Sequence, residues 1–113
     1  MNDCLFCRII NGEIPSKKIY EDESVYAFYD IEPQAPVHFL VIPKEHIKGA
    51  CDITEKNSAV VAKIFESIAK IAEELNLGGD FRVVTNSGEK SGQSVGHLHF
   101  HVLSGRNLSW PPG

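Results

Sequence analysis

Seven consecutive residues, His97-Leu98-His99-Phe100-His101-Val102-Leu103, alternate imidazole with apolar side chains. Successive side chains of a strand point to opposite faces, so a period of two predicts a strand over His97 to Leu103. Leu98, Phe100 and Val102 then face the core. His97, His99 and His101 line a surface or cleft at ~6.6 Å intervals, twice the strand rise. Three polar residues on a wet strand face would be the bland account, but such faces are usually filled by Thr, Lys or Glu. A row of imidazoles points instead to proton transfer, nucleophilic attack or metal binding.

More strands precede this one. Lys18-Ile19-Tyr20-Glu21 reads as a short strand, and Val25 to Asp30 is aromatic-rich and β-prone. Pro33 and Pro36 then punctuate the chain before His38 to Pro43, a continuous apolar run that predicts a central strand. Phe81 to Thr85 is a further strand. One long helix lies between them. Thr54 is its expected N-cap, with Glu55 in the first turn suiting the dipole. Val60/Val61, Ile64, Ile68, Ile71/Ala72 and Leu75 recur at helical spacing, opposite Lys56, Lys63, Glu66, Lys70, Glu73 and Glu74. Leu77-Gly78-Gly79 supplies the expected stop. About five strands with one inserted helix is not the alternating βαβ pattern. It predicts an α+β fold, a mainly antiparallel sheet with the helix packed on one face.

The chain has 113 residues, 42% apolar and 23% charged, so residues 1–113 are expected to form a single domain with one core. Fifteen acidic residues against 11 Lys plus Arg leave a net charge of −4, which argues against nucleic acid as a partner. Backbone amides can still hold a small anion. The longest apolar stretch, Phe39 to Ile42, is far short of the ~18 residues of a membrane helix. Met1-Asn2-Asp3-Cys4 has neither the basic nor the apolar region of a signal peptide, so a cytoplasmic location is expected.

Between Phe81–Thr85 and the histidine row lies a glycine-rich loop, Asn86 to Gly96, with glycines at 88, 92 and 96. It fits neither the P-loop nor the dinucleotide fingerprint. Alone it reads as a flexible hairpin. Beside the histidines it is a candidate phosphate cradle, with backbone amides plus Gln93 and Ser94 as donors. At the other end, Cys4-x-x-Cys7 lacks the preceding strand of a redox pair, and a closed tetrahedral zinc needs two further ligands. Cys51 is expected to be a packing residue.

With these residues in view, His-Φ-His-Φ-His-Φ-Φ (Φ apolar) resembles the signature of the histidine triad (HIT) family of nucleotidyl hydrolases and transferases. Asp30-Ile31-x-Pro33-Gln34-Ala35-Pro36-x-His38-Phe39-Leu40-Val41-Ile42-Pro43-Lys44-x-His46 is similar to its Hint branch, the purine nucleoside phosphoramidases. So are Gly92-Gln93-Ser94-Val95 and the terminal Trp110-Pro111-Pro112-Gly113.

The resemblance implies that His99 attacks the α-phosphorus of a nucleoside 5′-phosphoramidate, giving a nucleotidyl-histidine that water hydrolyses to AMP or GMP. His101 would bond the phosphate and leaving-group side, and His38 would support the proton relay. Ser94, with Gly92 and the amides around Gln93 and Val95, would hold the phosphate. Asp30 would accept from the ribose hydroxyls and Asn86 would fix the phosphate–ribose end. Leu5, Phe6, Ile9, Phe28, Tyr29 and Ile31 would wall the purine. Some bacterial members resemble the Cys4, Cys7, His46, His97 arrangement as a structural zinc site, and no catalytic metal is required. The family also forms two-fold dimers, so a homodimer is expected. Dinucleoside polyphosphate hydrolysis and a nucleotide-binding adaptor role are the alternative functions. A metal hydrolase on the 97/99/101 row would leave Asp30, Asn86 and the Gln93-Ser94 loop without roles.

Overall fold

A computed structural model describes residues 3–113; Met1 and Asn2, which entered the leader argument, lie outside the described residues. The elements in chain order are α1 (Leu5–Ile10), β1 (Lys18–Glu21), β2 (Val25–Tyr29), β3 (Val37–Pro43), α2 (Ala59–Glu74), β4 (Arg82–Val84) and β5 (Phe100–Ser104). The five strands form one sheet in the order β1-β2-β3-β5-β4, every neighbouring pair antiparallel. The expected α+β fold is the observed one. The run His38 to Pro43 does become the central strand, extended by Val37.

Its continuous apolarity has a simple cause, which is that the sheet is covered on both sides. On one face Val25, Ala27, Phe39, Val41, Phe100 and Val102 meet Ile64, Ile68 and Ile71 of α2. Burying each of those helix isoleucines contributes roughly 1.5–3 kcal/mol. On the other face Tyr26, Phe28, Leu40 and Ile42 are covered by Phe6 and Ile9 of α1. Strand residues alternate between the two cores, as a pleat demands.

Several element ends differ from the sequence expectation. The opening segment Leu5–Ile10 is a helix, capped by Cys4, whose Sγ accepts from the Cys7 N–H at 3.4 Å. Regular α2 starts at Ala59 after Ser58, not at Thr54. Thr54 instead opens a preceding turn, its carbonyl accepting from Asn57 and Ser58 N–H at 3.1 and 2.8 Å. The helix stops one turn before the glycine pair. Asn76 takes the left-handed conformation at φ 58°, and Leu77 N–H reaches the Ala72 carbonyl at 3.0 Å. Together with Asn76 N–H on Glu73 this makes a Schellman closure, with asparagine where glycine is commonest. β5 begins at Phe100, so His97 to His99 precede it outside the ladder, with His97 in a bend whose N–H reaches the Val95 carbonyl at 2.9 Å. Among the described residues no helix is long and apolar enough to cross a membrane.

Candidate active site and metal cluster

The α1 side of the sheet carries the histidines. Leu98, Phe100 and Val102 point into the α2 core, so the alternation holds although only its second half is strand. The imidazoles do not line an open surface at even intervals. His97 and His99 are buried, and His101 keeps a fifth of its side chain exposed.

Hydrogen bonds define where each ring carries its proton. Nδ1 of His99 lies 2.7 Å from the His97 carbonyl oxygen. A carbonyl only accepts, so Nδ1 bears the hydrogen and Nε2 presents a lone pair. Every buried side-chain nitrogen or oxygen among the described residues has a partner. Nε2 of His99 has none, so it reaches the solvent. The backbone beneath is anchored by Thr85, whose Oγ1 donates to the His99 carbonyl at 2.8 Å. Phe6 packs edge-on against the ring, with centroids 5.1 Å apart.

His38 is set the opposite way. Gln34 N–H donates to its Nδ1 at 3.0 Å, so a neutral His38 carries its proton on Nε2. That proton faces His101 Nδ1 at 2.9 Å, with Asp30 Oδ2 at 3.4 Å from the same nitrogen. His101 therefore accepts at Nδ1 and keeps its own hydrogen on Nε2. Burial, reinforced by the neighbouring His99 and His38 and opposed by Asp30, lowers the His101 pKa to about 4. Burial likewise lowers that of His38, again against Asp30. Both rings are neutral at physiological pH.

Beside this pair opens a cleft of about 730 Å³ that includes Ser16, Lys17, Tyr29, Asp30, Ile31 and His38 in its lining. Such a volume suits a small-molecule ligand. Phe6, Ile9 and Phe28 sit together in the adjoining apolar cluster, with Val95 packed against it. Leu5, Tyr29 and Ile31 are exposed, Ile31 at 94%, and of the three Tyr29 and Ile31 line the cleft. Leu40 belongs to the same cluster and is not among the expected wall residues. Its parity with His38 on β3 is the signal that identifies its face.

The glycine loop is more ordered than a free hairpin. The Gln93 side chain is fully engaged, accepting from Gly88 N–H at 2.8 Å and donating to the Lys48 and Val95 carbonyls at 2.7 and 3.1 Å. It staples the loop, and the Gly92 and Gln93 N–H groups donate to the Glu89 and Gly88 carbonyls at 3.0 and 3.2 Å. The donors left for a ligand are therefore the amides of Ser94 and Val95 and the exposed Ser94 hydroxyl. Gly92 adopts φ +101°, with Asn86 Nδ2 3.6 Å from where its Cβ would stand. Asn86 and the loop are thus contiguous. Cys51 is exposed rather than packed, within 3.7 Å of Ser87 Oγ.

A second constellation lies behind the first. The ligand atoms of Cys4, Cys7, His46 and His97 all fall within 4.8 Å of one another. Cys4 Sγ is 3.2 Å from His97 Nδ1, and Cys7 Sγ is 3.3 Å from His46 Nδ1 and 3.5 Å from His97 Nδ1. His97 Nε2 donates to the Pro43 carbonyl at 2.9 Å, which leaves the Nδ1 lone pair aimed at the sulfurs. Zinc bonds of ~2.3 Å to sulfur and ~2.0 Å to nitrogen hold tetrahedral S and N ligands about 3.5 Å apart. The donor set and spacing fit such an ion. Asp30, His38 and His101 also cluster within 4.8 Å. There the His38 Nε2 proton, fixed by Gln34, occupies the place a ligand lone pair would need.

The HIT domain model matches residues 11–108. A 14 kDa zinc-binding protein of Brassica juncea is 41% identical over 113 residues, 98% of this chain and 100% of its own length. A HIT family hydrolase from Legionella pneumophila Philadelphia 1 superposes with a TM-score of 0.95 at 44% identity, covering 98% of this chain and 100% of that one. A histidine triad nucleotide-binding protein from Candida albicans reaches 0.82 at 34% identity, covering 96% of this chain and 83% of that one. This chain is a member of the HIT domain family.

Proposed function

We propose that this protein, one HIT domain over residues 1–113, is a Hint-type hydrolase of purine nucleoside 5′-phosphoramidates. The observation that carries the reading is the opposed proton placement on neighbouring rings. His99 shows a bare Nε2 and His101 an Nε2–H, with ring centroids 5.1 Å apart. One is a nucleophile, the other a proton donor.

His99 Nε2 attacks phosphorus and the P–N bond breaks. The His38–His101 pair, carrying one proton taken up from solvent, passes the His101 Nε2 proton to the leaving nitrogen and returns to its neutral form. Water then cleaves the nucleotidyl-histidine to AMP or GMP, which frees His99 and releases one proton to solvent. The Ser94 hydroxyl and the amides of Ser94 and Val95, carried by the Gly92–Gln93 turn, hold the phosphate, with Asn86 at its ribose end. Asp30 accepts from the ribose hydroxyls. Leu5, Phe6, Ile9, Phe28, Tyr29, Ile31 and Leu40 enclose the purine. These steps need no catalytic metal, because nucleophile and acid are both imidazoles.

Cys4, Cys7, His46 and His97 hold a structural zinc that clamps α1, and with it Phe6, onto the sheet. The exposed Trp110 tail belongs in a homodimer, and the protein works in the cytoplasm. The relatives described as a hydrolase, a nucleotide-binding protein and a zinc-binding protein support this reading. Rapid-quench mass spectrometry with adenosine 5′-phosphoramidate tests it. An AMP adduct on His99 is expected, and turnover without any adduct, even in variants slowed at hydrolysis, would overturn it.

A further inference from the structure

The turn between β2 and β3 wraps the ring of His38. Asp30 Oδ1 accepts from Glu32 N–H at 2.8 Å, while Oδ2 faces His38 Nε2. Gln34 folds back, its side-chain Nε2 donating to the Glu32 carbonyl at 3.1 Å, and its backbone N–H meets His38 Nδ1. A residue from the far end of the chain secures that turn. Arg106 Nε donates to the Gln34 carbonyl at 2.9 Å, and its Nη1 donates to the Asn107 carbonyl at 3.3 Å. Gly105, at φ +98°, lies so close that a Cβ there would stand 2.9 Å from Pro36 Cβ. The turn after β5 thus clasps the turn before β3, where Val37 pairs with Ser104.

The consequence concerns the polarity of the His38–His101 pair. With an amide donor at Nδ1, neutral His38 keeps its proton on Nε2, and His101 keeps its own on the outward Nε2. If the Gln34 amide swung away, His38 could move its proton to Nδ1 and accept at Nε2. His101 would then turn its proton inward to Nδ1, leaving an outward lone pair. The group that faces the leaving nitrogen would change from donor to acceptor.

We propose that Arg106 is a positioning residue: by holding the Gln34 carbonyl it keeps the Gln34 amide on His38 Nδ1, and so makes the outward nitrogen of His101 a donor. The inference deepens the proposed phosphoramidase reading and rests on it only for its kinetic consequence.

Long-range ¹⁵N–¹H spectra of the histidine rings at neutral pH, on metal-loaded protein, test it directly. Wild type is expected to show His38 and His101 with hydrogen on Nε2. Arg106→Ala should give His38 a substantial Nδ1–H population, and lower kcat on adenosine 5′-phosphoramidate about tenfold or more with KM little changed. Arg106→Lys, which can still donate to the carbonyl, should recover most of both. A wild-type His38 protonated on Nδ1, or an Arg106→Ala protein with the wild-type tautomers, overturns the inference. Ring spectra that shift as expected in a protein that cleaves no phosphoramidate would sustain the positioning role and defeat only the functional reading.

Discussion

The Nδ1–H of His99 is held 2.7 Å from the carbonyl oxygen of His97, its neighbour two residues back. The backbone therefore selects the tautomer of the ring whose other nitrogen is the proposed nucleophile. His99→Ala removes that nitrogen while leaving the apolar pocket of Phe6, Ile9 and Phe28. Turnover of adenosine 5′-phosphoramidate should fall at least about a thousandfold, since a covalent route is lost outright. Affinity for AMP, measured by calorimetry, should stay within about tenfold. Residual turnover near the wild-type level would show that His99 is not the nucleophile.

His101 makes stability depend on acidity. Its folded pKa of about 4 lies below the ordinary 6.5, because burial and the adjacent His99 and His38 disfavour the charged ring more than Asp30 favours it. The unfolded chain thus takes up this proton first as pH falls. The contribution is complete above about pH 6.5, is lost progressively down to about pH 4, and is constant below. The loss is of order 3 kcal/mol at most, from the 1.36 kcal/mol that accompanies each pKa unit. Urea midpoints measured between those limits should decline more steeply for wild type than for His101→Gln. Equal slopes would contradict the assignment.

Asn76 closes α2 in the left-handed region at φ 58°. A β-carbon without a compensating side chain is strained there by roughly 1–2 kcal/mol. Asn76→Ala should lower stability by about 1 kcal/mol, and Asn76→Gly should match or slightly exceed wild type. Thermal denaturation of the two variants side by side decides this, and equal midpoints would contradict it.

What could be read in advance followed periodicity. The alternation over 97–103, the one-sided stripe of Ile64, Ile68 and Ile71 and the apolar run over 38–43 each repeat a local rule, and each led to the right face or layer. Features held by contacts rather than by repeats were not visible. α1 spans six residues, too short for a stripe, and depends on the Cys4 cap and on burial of Phe6 and Ile9. The glycines at 78 and 79 drew attention from Asn76, which takes the helix-ending conformation earlier. Gln93 looked like a ligand donor, but its amide is consumed within the protein. Arg106 and Gln34 are separated by 72 positions, and no local pattern joins them.

The same α1 that hides from periodicity links the metal cluster to the pocket. Cys7 and Phe6 are adjacent, and Phe6 stacks edge-on against both His97 and His99, with centroids at 5.9 and 5.1 Å. Metal bound by Cys4, Cys7, His46 and His97 should therefore hold the purine wall as well as the fold. One zinc per chain is expected by elemental analysis of purified protein, and Cys7→Ser should abolish it. Cobalt replacement should give the intense thiolate-to-metal bands that an oxygen and nitrogen site lacks, which separates this cluster from Asp30, His38 and His101. Chelation should lower the thermal midpoint by about 5 °C for each kcal/mol of metal stabilisation lost. It should also weaken AMP binding by about tenfold, the worth of ~1.4 kcal/mol of pocket contact. A chelated protein that binds AMP unchanged would show that α1 keeps its place without the ion.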